Sequence, residues 1–151
     1  MGGENGVWRS WLDMNEPKRI WWARPRKLCA LERPGGGGQS HRPERRQEEI
    51  EYLKAAGVHT VISTMKTRHN LAAYDEAGLD WVHVPVEEED DGIEQVLDVV
   101  RRKIRRAGAV AVHANRRTDF VAAVCAAYLE DRYGVPFHEG LEQAEEAGVS
   151  T

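Results

Sequence analysis

The sequence predicts a single α/β domain with a central, largely parallel sheet flanked by helices. Three observations predict it. Short apolar runs, VHTVIS at 58–63 and AVAVH at 109–113, stand between segments of helical spacing. Glycines 57, 78, 134 and 148 close those segments where a helix C-cap belongs. The run at 109–113 is nearly continuous in apolar character, as strands buried on both faces are. Alternation of strands and helices builds parallel sheets, and ligands bind such sheets beyond the carboxyl ends of the strands.

The elements follow in chain order. Residues 1–18 are polar and glycine-containing, and read as an arm whose Trp8 and Trp11 suit it to docking. The domain proper spans 19–151. RIWWA (19–23) and KLCAL (27–31) are two short strands, and ERPGGGGQSHRP (32–43) is a loop, since four consecutive glycines support no regular element. Glu44 to Ala56 is helical and stops at Gly57. VHTVIS is a strand, TMKTRHN (64–70) a polar loop, and LAAYDEA (71–77) a short helix stopped by Gly78. LDWVHVPV (79–86) is a strand and EEEDDG (87–92) an acidic loop. Ile93, Val96, Leu97, Val100 and Ile104 share one helix face, which leaves the basic run RRKIRRAG (101–108) on the solvated side. After AVAVH, the positions of Val121, Val124, Cys125, Tyr128 and Leu129 are again helical. A last helix opens near Pro136 and closes at Gly148.

Composition narrows the function. The chain has 151 residues, 41% hydrophobic and 30% charged, in the range of ordinary globular domains. A net charge of −4 gives no general attraction to nucleic acid. Two cysteines, Cys29 and Cys125, are too few for a disulfide framework, which points to a reducing cytoplasm. No apolar run approaches the ~20 residues of a membrane span, so no membrane partner is expected. Carboxylates in 87–91 lack the histidine and cysteine spacing of a zinc site, so no metal or cofactor is expected.

Several segments together resemble the dual-specificity (cysteine-dependent, tyrosine-type) phosphatase family. They are WWARPRKLCALERPG, EEIEYLKAAGVHTVIS, AGLDWVHVPVEEEDDG and RRTDFVAAVCAAYL. Their order and spacing carry the resemblance from about Ile20 to Gly148. The family signature is His-Cys, five residues, then Arg and Ser/Thr. The resemblance implies a phosphate loop between the last strand and its helix, a thiolate that attacks phosphorus, and a loop aspartate that protonates the leaving oxygen. His113 matches the histidine, and Arg117 and Thr118 match the Arg-Ser/Thr pair. Ala114 occupies the nucleophile position. Asn115 and Arg116 alone separate it from Arg117, so the loop is three residues shorter than the family's.

The candidate residues follow. Asn115, Arg116, Arg117 and Thr118 would bind an anion at a helix N-terminus, where the dipole and free amides favour negative charge. Lys66 and Arg68, with His69, His41 and Arg42, would extend that basic surface. His113, Asp90 and Asp91 are the candidates for acid or base work. Cys125 and Cys29 read as small buried hydrophobes. Three functions remain open. The first is a pseudophosphatase that binds a phosphorylated or anionic ligand, or a protein partner. The second is a divergent hydrolase that uses no cysteine. The third is a structural interaction module that presents Trp8 and Trp11.

Overall fold

The computed structural model describes residues 10–86, 89–116 and 118–150, except for the side chains of residues 89–91. Its centre is a five-stranded sheet. The strands are β1 (Ile20–Arg24), β2 (Leu28–Glu32), β3 (Val58–Ser63), β4 (Asp80–His83) and β5 (Ala109–Ala114), in the spatial order β1-β2-β5-β3-β4. β1 pairs antiparallel with β2; every other pairing is parallel. The central, largely parallel sheet expected from the sequence is therefore present. β5 lies in the middle, and all six of its residues are buried.

The pleat sorts the core into two layers. Val110 and Val112 face α4 (Glu89–Lys103), α5 (Thr118–Tyr133) and α6 (Phe137–Glu146). Ala109 and Ala111 face the opposite way, toward Ile50, Tyr52 and Leu53 of α2 (Pro43–Ala55) and Leu71 and Tyr74 of α3 (Leu71–Ala77). α5 is apolar nearly all round because it packs on the sheet, α4 and α6 together. Gly140 lets α6 come close to it: a Cβ there would stand 3.0 Å from that of Ala126. Among the described residues, no helix is long and apolar enough to cross a membrane.

Two expectations need correction. The acidic run does not stay a loop to residue 92, because α4 already begins at Glu89. Acidic residues suit the positive end of a helix, so a run that reads as solvated loop also reads as a first turn. Gly92 belongs there for a steric reason: a Cβ would stand 2.6 Å from Val86 and 3.1 Å from Phe120. The strand expected over 79–86 is shorter, since β4 ends at His83, two residues before Pro85. Part of the expected arm is ordered. α1 (Trp11–Asn15) is capped by the Ser10 hydroxyl, which accepts from the Asp13 amide at 3.1 Å. Its Leu12 packs on the α2 layer, and Glu16 accepts a hydrogen bond from the Tyr52 hydroxyl at 3.2 Å. Trp11 is 51% exposed. Trp8 lies outside the described residues.

Leu53 is fully buried between α2 and the sheet. Leu53→Ala is expected to lower the unfolding free energy by about 2–5 kcal/mol, read from the urea midpoint at unchanged slope.

Candidate functional site

Four parallel strands end at the same edge of the sheet. Leu31, His113, Ser63 and His83 stand in one register row, and Glu32 pairs with Ala114 one step further. The loops that leave this edge, 33–42, 64–70 and 115–117, carry the sequence candidates.

His113 is completely buried. It points to the α2/α3 side, where its Nε2 lies 2.8 Å from the Tyr74 hydroxyl, while Nδ1 faces the Ala114 carbonyl at 3.4 Å. An Nδ1 proton directed at that carbonyl leaves Nε2 to accept from Tyr74. The tyrosine oxygen in turn accepts from Asn70 Nδ2 at 3.3 Å. Asn70 Oδ1 takes the Arg33 Nε proton at 2.9 Å, and Nδ2 also reaches the Pro34 carbonyl at 3.0 Å. Asn70 has φ 77°, a left-handed conformation that asparagine tolerates better than most residues. Thr64 closes the set, since its amide and hydroxyl each donate to the His113 carbonyl at 3.0 Å.

Burial, reinforced by Arg33 and His83, pushes the His113 pKa down to about 4, against the backbone contact to Ala114. Burial also pushes the Tyr74 hydroxyl up. At neutral pH the pair is therefore an uncharged, saturated hydrogen bond. That is a poor arrangement for a general acid or base and a good one for a structural clamp.

Ala114 ends β5 and is 5% exposed. Beyond it the chain turns sharply: the Thr118 amide, first in α5, donates to the Arg116 carbonyl at 2.9 Å. The four-glycine segment lies against this turn. Gly38 N donates to Asn115 Oδ1 at 3.0 Å. A Cβ on Gly37 would collide with the Asn115 carbonyl and stand 2.8 Å from Arg116 Cγ; one on Gly38 would stand 2.6 Å from Arg116 Nε. The glycines are thus needed where two backbones meet. Pro34 to Gly37 are buried, so the segment is a packed strap and not a solvated loop.

The remaining candidates are placed as follows. Arg116 is exposed beside Gly38, and Thr118 is buried at the start of α5. Arg117 lies outside the described residues, as do the side chains of Asp90 and Asp91. Lys66, His69 and Arg42 are exposed on the strand-end loops, and His41 is half-buried. The Arg68 guanidinium sits 5.3 Å over the Trp81 ring on β4. Both cysteines are buried, and burial raises the pKa of each. Among the described residues, no three His, Cys, Asp or Glu side chains form a metal-binding group. Sequence reasoning missed Arg33, Asn70 and Tyr74. The one local hint was an arginine directly before Pro34 and the glycines.

No family model and no curated protein matches the chain. Solved structures do. Human DUSP28 superposes with a TM-score of 0.65 in a variant form and 0.64 as the unaltered protein. The latter alignment is 22% identical and covers 89% of this chain and 85% of that one. A variant of P. aeruginosa TpbA in complex with phosphotyrosine gives 0.67 at 18% identity, over 87% and 75% of the two chains. A mouse putative dual specificity phosphatase complexed with zinc tungstate gives 0.62 at 19%, over 89% and 79%. This is the dual-specificity phosphatase fold. Within it, β5 and α5 are the strand and helix that flank Asn115 and Arg116.

Two measurements check the clamp. Tyr74→Phe removes the donor to His113 and is expected to cost about 1–3 kcal/mol of unfolding free energy by urea titration. The second is pH dependence. The native state holds His113 near 4 and the unfolded chain near 6.5, so the unfolded state takes up the proton first as pH falls. The associated stability, roughly 3 kcal/mol, is present above pH 6.5 and lost between 6.5 and 4. His113→Gln is expected to flatten that part of the pH profile. Parallel profiles for the two proteins would assign the acid sensitivity elsewhere.

Proposed function

We propose that this chain is a pseudophosphatase: a phosphatase-fold domain that binds an anionic or phosphorylated ligand and performs no cysteine-dependent transfer. The observation that carries this reading is Ala114 at the carboxyl end of β5, where the resembling family has its nucleophile, with both thiols buried elsewhere. A methyl group cannot attack phosphorus. A buried thiol of raised pKa forms little thiolate. His113, buried and neutral, has Nε2 on Tyr74 and Nδ1 on the Ala114 carbonyl, which favours binding over acid–base chemistry at this edge.

Anion binding is supported by the N-terminus of α5, 16 residues long, directed at the strand ends. Arg116, just before α5, opposes the helix dipole, and a bound anion would relieve that conflict. TpbA, which shares the fold, was crystallised with phosphotyrosine, and a phosphomonoester is the ligand class we assign here. The free, buried thiols suit a reducing cytoplasm.

The test is hydrolysis of an aryl phosphate and of phosphopeptides. The wild-type chain is expected to stay at the buffer rate. Ala114→Cys is expected to stay there too, because a thiol in a loop three residues short lacks the surrounding amides. Wild-type turnover abolished by thiol alkylation would overturn the proposal.

A further inference from the structure

We propose a second oxyanion site at the other end of the glycine strap from Arg116, formed by Arg33, His41, Arg46 and His69. Its ligand is phosphate, free or carried as a monoester. The site uses none of residues 114–118, so it stands apart from the reading above.

Arg33 directly follows β2 and is only 8% exposed. Its Nε donates to Asn70, a neutral amide, and its carbonyl accepts from Gly36 N at 2.8 Å. Buried charges are ordinarily paired with an opposite charge. Among the described residues, neither Arg33 nor Arg46 forms an ion pair. Glu49, one turn beyond Arg46 on α2, is already engaged. Its Oε1 accepts from Gly35 N and its Oε2 from Arg45 Nε, both at 2.8 Å.

The strap brings the other members together. A Cβ on Gly35 would collide with the His41 ring and stand 2.7 Å from Arg46 Cβ. His41 Nδ1 lies 3.0 Å from the Gly36 carbonyl, but its Nε2 is buried and has no hydrogen-bond partner among the described residues. His69 precedes Asn70, which bonds to Arg33. The groups feel one another. Burial, then Arg33, Arg46 and His69, hold the His41 pKa below its ordinary value, opposed by the Gly36 carbonyl. Burial and Arg46 lower that of Arg33. Arg33, Arg46 and His69 are thus near enough to His41 to repel its protonated form, and among the described residues no carboxylate pairs with either arginine. An oxyanion would supply acceptors for both arginines, give His41 Nε2 a partner once protonated, and relieve the repulsion.

The test is thermal unfolding of the full chain in inorganic phosphate against chloride at equal ionic strength, for wild type, Arg46→Ala and Arg116→Ala. Ligand binding to the native state raises stability by mass action. Phosphate is expected to stabilise the wild type more than chloride does. Arg46→Ala is expected to weaken that effect at least about tenfold in apparent Kd. Arg116→Ala is expected to retain it. Phosphate acting no better than chloride, or Arg46→Ala binding like wild type, would overturn this site. Loss of all binding in Arg116→Ala, with Arg46→Ala like wild type, would leave the 115–118 loop as the anion site and sink this one; weakening in Arg46→Ala, with Arg116→Ala like wild type, supports this one and leaves the reading of the 115–118 loop standing. A second readout needs no variant. The His41 ring nitrogen resonances are expected to move on phosphate addition, and fixed resonances would count against the site. Phenyl phosphate that competes at the Arg46-dependent site assigns it to a monoester, and failure to compete assigns it to free phosphate.

Discussion

A histidine ring buried at the carboxyl end of a central strand has two nitrogens that must find partners without water, and the bond from Tyr74 to His113 meets that demand. Much of the site edge depends on it. The bond fixes α3 against β5, and because Asn70 begins α3 it also fixes the 64–70 loop. Asn70 then holds Arg33 and Pro34, where the chain leaves β2. Two loops that are distant in sequence and the end of β5 thus become one packed body. The network is fully engaged from Arg33 Nε to His113 Nε2, the condition under which a buried polar chain stiffens a fold.

The glycine strap is the second consequence. Once Arg33 and Pro34 are anchored, the next residues must pass close over the turn that follows β5. Only residues without a Cβ fit between the Asn115 carbonyl and the Arg116 side chain. The turn that begins at Asn115 and the glycine run are therefore packed as one unit. The result is a chain of net charge −4 whose strand-end loops carry Arg33, His41, Arg42, Lys66, His69 and Arg116, with Arg46 beside them on α2. Much of the acidic character lies elsewhere, as in the Asp80, Asp98 and Asp131 pairs with Arg106 and Arg101.

Legibility in the sequence followed the range of the interactions. VHTVIS and LAAYDEA match their elements to the residue, because period, capping glycine and β-branching are all local signals. The start of α4 was not legible, since an acidic run before an apolar helix satisfies both a solvated loop and a dipole-matched first turn. The strap reads in sequence as a surface loop, because glycine's freedom is visible there and its steric necessity is not. The place of Asn115, Arg116 and Thr118 between an apolar strand and a helix was legible, because both flanking patterns are local. Arg33, Asn70 and Tyr74 were not, since their partners lie 37 and 39 residues away along the chain.

By itself, the sequence determined the α/β class, the largely parallel sheet and the buried character of the strand over 109–113. Each follows from residue type and near-neighbour spacing. The tertiary structure decided that His113 is buried and held by Tyr74. It decided that the glycines are packed, and that Arg33, His41 and Arg46 share one place. Those outcomes depend on burial and on which groups the parallel β2–β5–β3 pairing brings side by side, and no local pattern encodes that.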